Sequence, residues 1–172
     1  MTRRAFETDR LRLRPPRAGD AVDLAALNAD PEVMRYIGSG VRPRELSRAE
    51  AEAWLDAAGP HIRIIEDLAS GAFHGWAALL PFDQGGAVEL AYRLPRAVWG
   101  RGIASEAARA MIDYAFAGHD EGLGLDRLVA ITHPDNQASR RVLEKLGFRR
   151  RGARTVQGIA GVLDYVLERD GG

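Results

Sequence analysis

The stretch WGRGIASEAARAMIDYAF, Trp99 to Phe116, constrains the fold of this chain more than any other. Ala104, Ala107, Ala108, Met111, Ile112 and Ala115 recur at helical spacing, with Glu106, Arg109 and Asp113 facing away. Such a narrow, alanine-rich seam predicts an amphipathic helix lying close on a sheet. Gly100 and Gly102 stand at its mouth. The first turn of a helix carries N–H groups without intrahelical acceptors and about half a positive charge. Glycines there let the backbone approach a bulky anion such as a phosphate. A plain tight turn before a helix is the other reading of the same pair.

The sheet is predicted on both sides of this helix. TDRLRLRP alternates leucine with arginine and reads as a half-buried strand. GDAVDLAALNADPEVMRYI reads as two short helices, the first carrying Val22, Leu24, Ala25 and Leu27, the second opening at Pro31 behind an Asp30 cap. LSRAEAEAWLDAAG predicts a third, with Ser47 and Glu50 in a capping-box pattern. HIRIIEDL and FHGWAALLPF flank the hairpin signal Ala69-Ser70-Gly71, and Gln84-Gly85-Gly86 turns the chain into AVELAYRL. Short turns imply an antiparallel meander, whereas DRLVAITH follows a helix and is expected parallel to AVELAYRL. NQASRRVLEKLGF is a helix with Gly147 just past its end, and RRRGART and GVLDYVLER close the chain as a strand pair. The fold class is α+β, a mixed sheet with helices on it.

Composition narrows the function. The chain of 172 residues fits one domain spanning 1–172. Its formal net charge is zero, which gives no support to nucleic-acid binding. Absence of cysteine removes thiol catalysis, disulfides and cysteine metal sites. His61, His74, His119 and His133 are scattered without ligand spacing, so no metal is expected. No apolar run is long enough for a membrane span, and MTRRAFETDRLRLRPP lacks the apolar core of a signal peptide, so a cytoplasmic protein without membrane partners is expected.

Two phosphate-binding classes fail on the residues. A Walker loop needs Gly-Lys-Ser/Thr, but Lys145 precedes Leu146. A dinucleotide turn needs Gly or Ala at its third position and a strand ending directly before it. Ser105 occupies the third position, and the preceding strand is predicted to end near Leu94-Pro95. No serine lies in G-x-S-x-G, which argues against an α/β-hydrolase.

Trp99-Gly100-Arg101-Gly102-Ile103-Ala104 resembles the acyl-CoA turn of the GNAT acetyltransferase superfamily, with Trp99 where the general pattern has Gln or Arg. TDRLRLRPP, DPEVMRYIG and THPDNQASRRVLEKLGFRRRG are similar to one branch, the ribosomal-protein N-terminal acetyltransferases. The resemblance implies the acyl-CoA N-acyltransferase fold, its sheet splayed between AVELAYRL and DRLVAITH, the fourth and fifth strands in the family's order. It implies acetyl-CoA as cosubstrate, an amine acceptor (a protein N-terminus or a small molecule), and direct transfer in a ternary complex by a monomer or homodimer. The pantetheine arm is assigned to Ala91, Tyr92, Arg93 and Leu94, which offer strand N–H and C=O groups. The pyrophosphate is assigned to Trp99, Gly100, Arg101, Gly102, Ile103, Ala104 and Ser105.

The resemblance also places Asn136 and Ser139 against the arm and the thioester sulfur. Asn136 would hold the arm, or serve as a helix cap. Ser139 would donate to the leaving thiolate, or bond back to the carbonyl four residues earlier. An α-amino group is mostly protonated at neutral pH, so a proton acceptor is needed, either a carboxylate or water. Glu89, between apolar Val88 and Leu90 on the strand assigned to the arm, is the candidate carboxylate. The segment IGSGVRPREL and the helix after it are expected to select the acceptor. A CoA-binding regulatory domain of the same fold without turnover is the alternative.

Overall fold

Leu11 and Leu13 are fully buried while Arg10 is exposed and Arg12 half-buried, so the alternation in TDRLRLRP does form a strand, and Arg14 at its end is buried with Asp20 and Glu66. The computed structural model describes residues 5–37, 53, 61–82, 86–156 and 158–169. In chain order these form β1 (Phe6–Glu7), β2 (Leu11–Arg14), α1 (Ala21–Ala29), α2 (Pro31–Met34), β3 (Ile62–Asp67), β4 (Phe73–Phe82) and β5 (Ala87–Arg93). There follow α3 (Ile103–Phe116), β6 (Arg127–Thr132), α4 (Gln137–Lys145), β7 (Arg149–Val156) and β8 (Ile159–Glu168). The helix expected over LSRAEAEAWLDAAG and the Gln84-Gly85 part of the second turn lie outside the described residues.

The strands make one sheet of eight, ordered β1-β2-β3-β4-β5-β6-β8-β7. Neighbours are antiparallel except β5 and β6. The meander and the parallel step across α3 are therefore present as expected. The short β1, which the sequence pattern did not announce, adds an edge to β2. The Ala69-Ser70-Gly71 hairpin is set by the Asp67 carboxylate, which accepts from the Ser70 N–H and hydroxyl at 2.8 and 2.7 Å.

Side chains alternate across the sheet and create two cores. On one face Leu79 and Leu90 pack against Ala107, Ala108, Met111 and Ile112 of α3 and Leu143 of α4. On the other, Ile62, Ile64, Trp76 and Ala78 pack against Ala21, Leu24 and Leu27 of α1. Of the apolar residues carried by α1, Val22 is 68% exposed. The buried stripe runs instead through Ala21, Leu24, Leu27 and Asn28, one helical turn apart. No described helix is long and apolar enough to cross a membrane.

Gly75 fixes how β4 meets the end of β5. Its φ is +113°, and a Cβ there would lie 2.1 Å from the Arg93 carbonyl oxygen and 2.9 Å from Leu94 Cα. No side chain fits. Gly75→Ala should cost about 2 to 4 kcal/mol of stability, because the clash is with backbone and the conformation is left-handed. Urea unfolding measures this; a loss below about 0.5 kcal/mol, the range of an unremarkable surface change, would contradict the close approach.

Candidate active site

β5 and β6 share one register pair, Glu89 with Val129. Beyond it β5 keeps its partners on β4 as far as Arg93 with Trp76, and β6 keeps its partners on β8 as far as Thr132 with Leu163. Between them the sheet opens into a V. Strand residues point their N–H and C=O groups alternately to either side, so alternate residues of the stretch from Leu90 to Arg93 turn their groups to the gap while the others bond β4.

At the wide end of the V the chain leaves β5 through a single turn of 3-10 helix at Arg96–Val98 and enters the glycine turn. Gly100 and Gly102 have φ of +73° and +78°, the left-handed region that glycine tolerates. The first bond of α3 runs from the Glu106 N–H to the Gly102 carbonyl at 3.1 Å. The N–H groups of Gly102, Ile103, Ala104 and Ser105 precede it and have no intrahelical acceptor. A Cβ on Gly100 would meet nothing within 4 Å, so the approach to these groups is open. Trp99 is 49% exposed beside the turn, its indole N–H bonded to the Leu94 carbonyl at 2.8 Å. The exposed backbone donors and the open glycine fit a pyrophosphate.

Glu106 does not simply face away from the core. Its carboxylate accepts from the Thr8 hydroxyl at 2.5 Å, the Arg10 N–H at 3.0 Å and the Arg10 Nε at 2.7 Å. Partial burial works to raise its pKa, but these donors win and hold it below the usual carboxylate range. Arg10 also gives Nη1 to the Arg101 carbonyl at 3.0 Å. One arginine thus neutralises an acid in the first turn of α3 and braces the glycine turn. Sequence reasoning missed this pair, which is separated by 96 positions.

Tyr92 and Ser139 meet on the α3–α4 face of the V, hydroxyl to hydroxyl at 3.1 Å. Burial pushes the Tyr92 phenol up to about 12, so it stays protonated. Ser139 therefore has a partner across the gap rather than the carbonyl of its own helix. Asn136 caps α4, its side-chain oxygen accepting from the Ser139 N–H at 3.1 Å. Gly147, at φ +93°, ends the same helix, with the Phe148 N–H returning to the Leu143 carbonyl.

Glu89 sits at the vertex on the opposite face, shared with Ala91 and Arg93. Burial pushes its carboxyl up to about 7, and no described donor bonds it. Just past α2, Tyr36 stacks on His133, which follows β6, with centroids 5.2 Å apart. Arg101 and Arg141 are exposed, and Arg140 gives Nη1 to the Pro134 carbonyl. No described His, Asp or Glu side chains gather in threes as metal ligands would. IGSGVRPREL, beyond its first residue, lies outside the described residues.

A family model, the acetyltransferase (GNAT) domain, matches residues 10–149. The chain belongs to the GNAT acetyltransferase family. Bacillus subtilis (strain 168) YkkB is 36% identical over 147 residues, covering 81% of this chain and 82% of its own length. Two solved GNAT structures share the fold. The ribosomal-protein-S5-alanine acetyltransferase of Vibrio fischeri has a TM-score of 0.74 at 19% identity, covering 97% of each chain. The spermidine N-acetyltransferase of Vibrio cholerae, in complex with CoA and spermine, has a TM-score of 0.76 at 20% identity, covering 94% of this chain and 96% of that one.

Gly102→Val should weaken CoA binding roughly tenfold or more, about 1.4 kcal/mol, while Arg10→Ala should weaken it less. Calorimetric titration with CoA measures both. An unchanged affinity in Gly102→Val would remove the glycine turn from the site.

Proposed function

We propose that this GNAT protein is an N-acetyltransferase that moves an acetyl group from acetyl-CoA directly to a primary amine. The opening of the sheet beyond Glu89 and Val129, with the glycine turn at its wide end, is the observation that carries the reading. Ala91 to Leu94 would pair with the pantetheine arm as an added strand. Trp99 to Ser105 would hold the pyrophosphate. Asn136, engaged as a cap, would act by fixing Ser139 in place.

Acetyl-CoA supplies an acyl carbon and a thiolate leaving group. Glu89 takes the proton that the amine loses as its nitrogen bonds to that carbon and the carbon–sulfur bond breaks. With its pKa near 7 the carboxyl is matched to proton transfer at neutral pH. A strand N–H at Leu90 or Ala91 faces the developing charge on the carbonyl oxygen. The Tyr92 phenol donates to the Ser139 oxygen, which leaves the serine proton for the sulfur. Carboxylate and hydroxyl pair lie on opposite faces of the sheet, so the amine and the leaving thiol are served from opposite sides. This separation suits a ternary complex.

The acceptor is an amine at a protein N-terminus or on a small molecule. The similarity to a ribosomal-protein acetyltransferase supports the former and that to a spermidine enzyme the latter. Release of free CoA thiol over peptides with varied N-termini, polyamines, amino acids and aminoglycosides tests the proposal. Binding of acetyl-CoA with no turnover on any amine would favour a regulatory domain.

With an active acceptor, Ser139→Ala should lower kcat roughly tenfold and leave CoA affinity unchanged; an unchanged rate would return Ser139 to a structural role. For Glu89 the base must be deprotonated, so kcat/KM should rise with pH through about 7. Glu89→Gln should remove that limb and leave the one set by the acceptor's own pKa, with a loss on the order of 10²-fold above it. A limb near 7 that persists in Glu89→Gln would assign the proton to water or another group.

A further inference from the structure

The face of β5 that carries Glu89 also carries Arg93, whose charge has no counter-ion among the described residues. Its Nη1 donates to the Asn28 side-chain oxygen of α1, a neutral partner. The guanidinium carbon lies 5.3 Å from the centre of the Trp76 ring. Its Nε is buried without a hydrogen bond. No carboxylate among the described residues pairs with it, and its described interactions are the two just given.

Four acids on the α1 side have arginine partners of their own, while Asp23 of α1 is exposed. Asp30 takes Arg96 at 2.8 Å, and Asp20 and Glu66 both take Arg14 at 2.6 Å. Asp164 takes Arg151 and Arg154 at 3.0 and 2.8 Å. The contrast with Arg14 is physical. Two carboxylates hold Arg14 charged despite burial, whereas burial alone acts on Arg93 and draws it down to about 10. A desolvated cation with only an amide and an aromatic face is costly to keep unless an anion arrives with a ligand.

We infer that Arg93 receives an anionic group of the acceptor, a carboxylate or a phosphate, while the acceptor's amine lies at Glu89. This rests on the transferase reading above. Arg93 and Glu89 are four residues apart on an extended strand, so their Cα atoms are separated by about 13 Å, and both side chains reach from the same face. An amine joined to an anion by a short chain spans such a pair. A polyamine would set a second cation against Arg93. Asn28 and Trp76 hold the guanidinium in place, which lowers the ordering cost of binding.

Turnover by the full chain with acetyl-CoA would be compared for acids and their neutral partners. These are glycine, β-alanine, 4-aminobutyrate and 6-aminohexanoate against their amides, and O-phosphoethanolamine against ethanolamine, with spermidine alongside. At one or more chain lengths the acid should exceed its neutral partner by roughly tenfold or more in kcat/KM, carried by KM, and spermidine should be poorer still. The carboxylate and phosphate arms show which anion is preferred.

Arg93→Gln should bring the ratio of acid to neutral partner to about one. So should Asn28→Asp, a near-isosteric change that gives Arg93 a carboxylate from within the chain. Arg93→Lys should keep part of the preference. A ratio near one at every length in the unaltered chain, or a ratio that survives both Arg93→Gln and Asn28→Asp, would overturn the inference.

Calorimetric binding of the N-acetylated acids and amides to the CoA-loaded chain reads the same preference without turnover. If no amine reacts, the transferase proposal fails and this binding ratio alone decides. A preference for the acid that falls in Asn28→Asp supports the Arg93 site, and its absence refutes the site. Turnover without preference refutes the site and leaves the transferase proposal standing.

Discussion

The pairing of β5 with β6 at Glu89 and Val129, and nowhere further along, is the constraint on which the rest depends. A buried sheet normally satisfies its backbone groups strand by strand. Here two strands part in the middle of the sheet, each held open by its outer neighbour, β4 on one side and β8 on the other. Gly75 contributes by letting β4 press against the backbone of Arg93 and Leu94, where any side chain would push the end of β5 away. The gap is built into the packing, and an amide-bearing chain lying in it would supply the partners that β6 withholds.

The two ends of the V carry different chemistry for electrostatic reasons. At the wide end, a helix start with free N–H groups favours negative charge. Glu106 in the same first turn would weaken that field, and Arg10 cancels it while tying the glycine turn to the β1–β2 corner. At the vertex, desolvation by itself raises Glu89, because no described arginine or hydroxyl comes to stabilise its charge. One carboxylate is thus held ionised beside the glycine turn. The other is raised by burial to about 7. The different surroundings of Glu106 and Glu89 set these opposite behaviours.

Much of the fold could be read from local chemistry. The Ala69-Ser70-Gly71 turn, the Asp30 and Asn136 caps, Gly147 and the alanine seam of α3 are decided within a few residues, and the structure places all of them as the pattern implies. The buried phase of α1 is not set by its own pattern: four apolar residues close together leave it ambiguous, and only the sheet beneath selects Ala21, Leu24 and Leu27 and leaves Val22 exposed. In the site, the backbone positions followed from the glycine turn. The side-chain pairings did not. Tyr92 finds Ser139 47 residues away, and Arg10 finds Glu106 96 away. That Arg93 has no counter-ion among the described residues is a property of the packed face, invisible in a chain so rich in both arginine and acid.

The central claim is that the V between β5 and β6, with the glycine turn at its mouth, is where CoA lies. Backbone amide hydrogen exchange on the full chain, with and without saturating CoA, tests it directly. The account predicts slower exchange at the amides of Leu90 to Arg93 that face the gap and at Gly102 to Ser105, with β2, β3 and the β7–β8 pair unchanged. Protection confined to other segments, or none at Leu90 to Arg93, would contradict it.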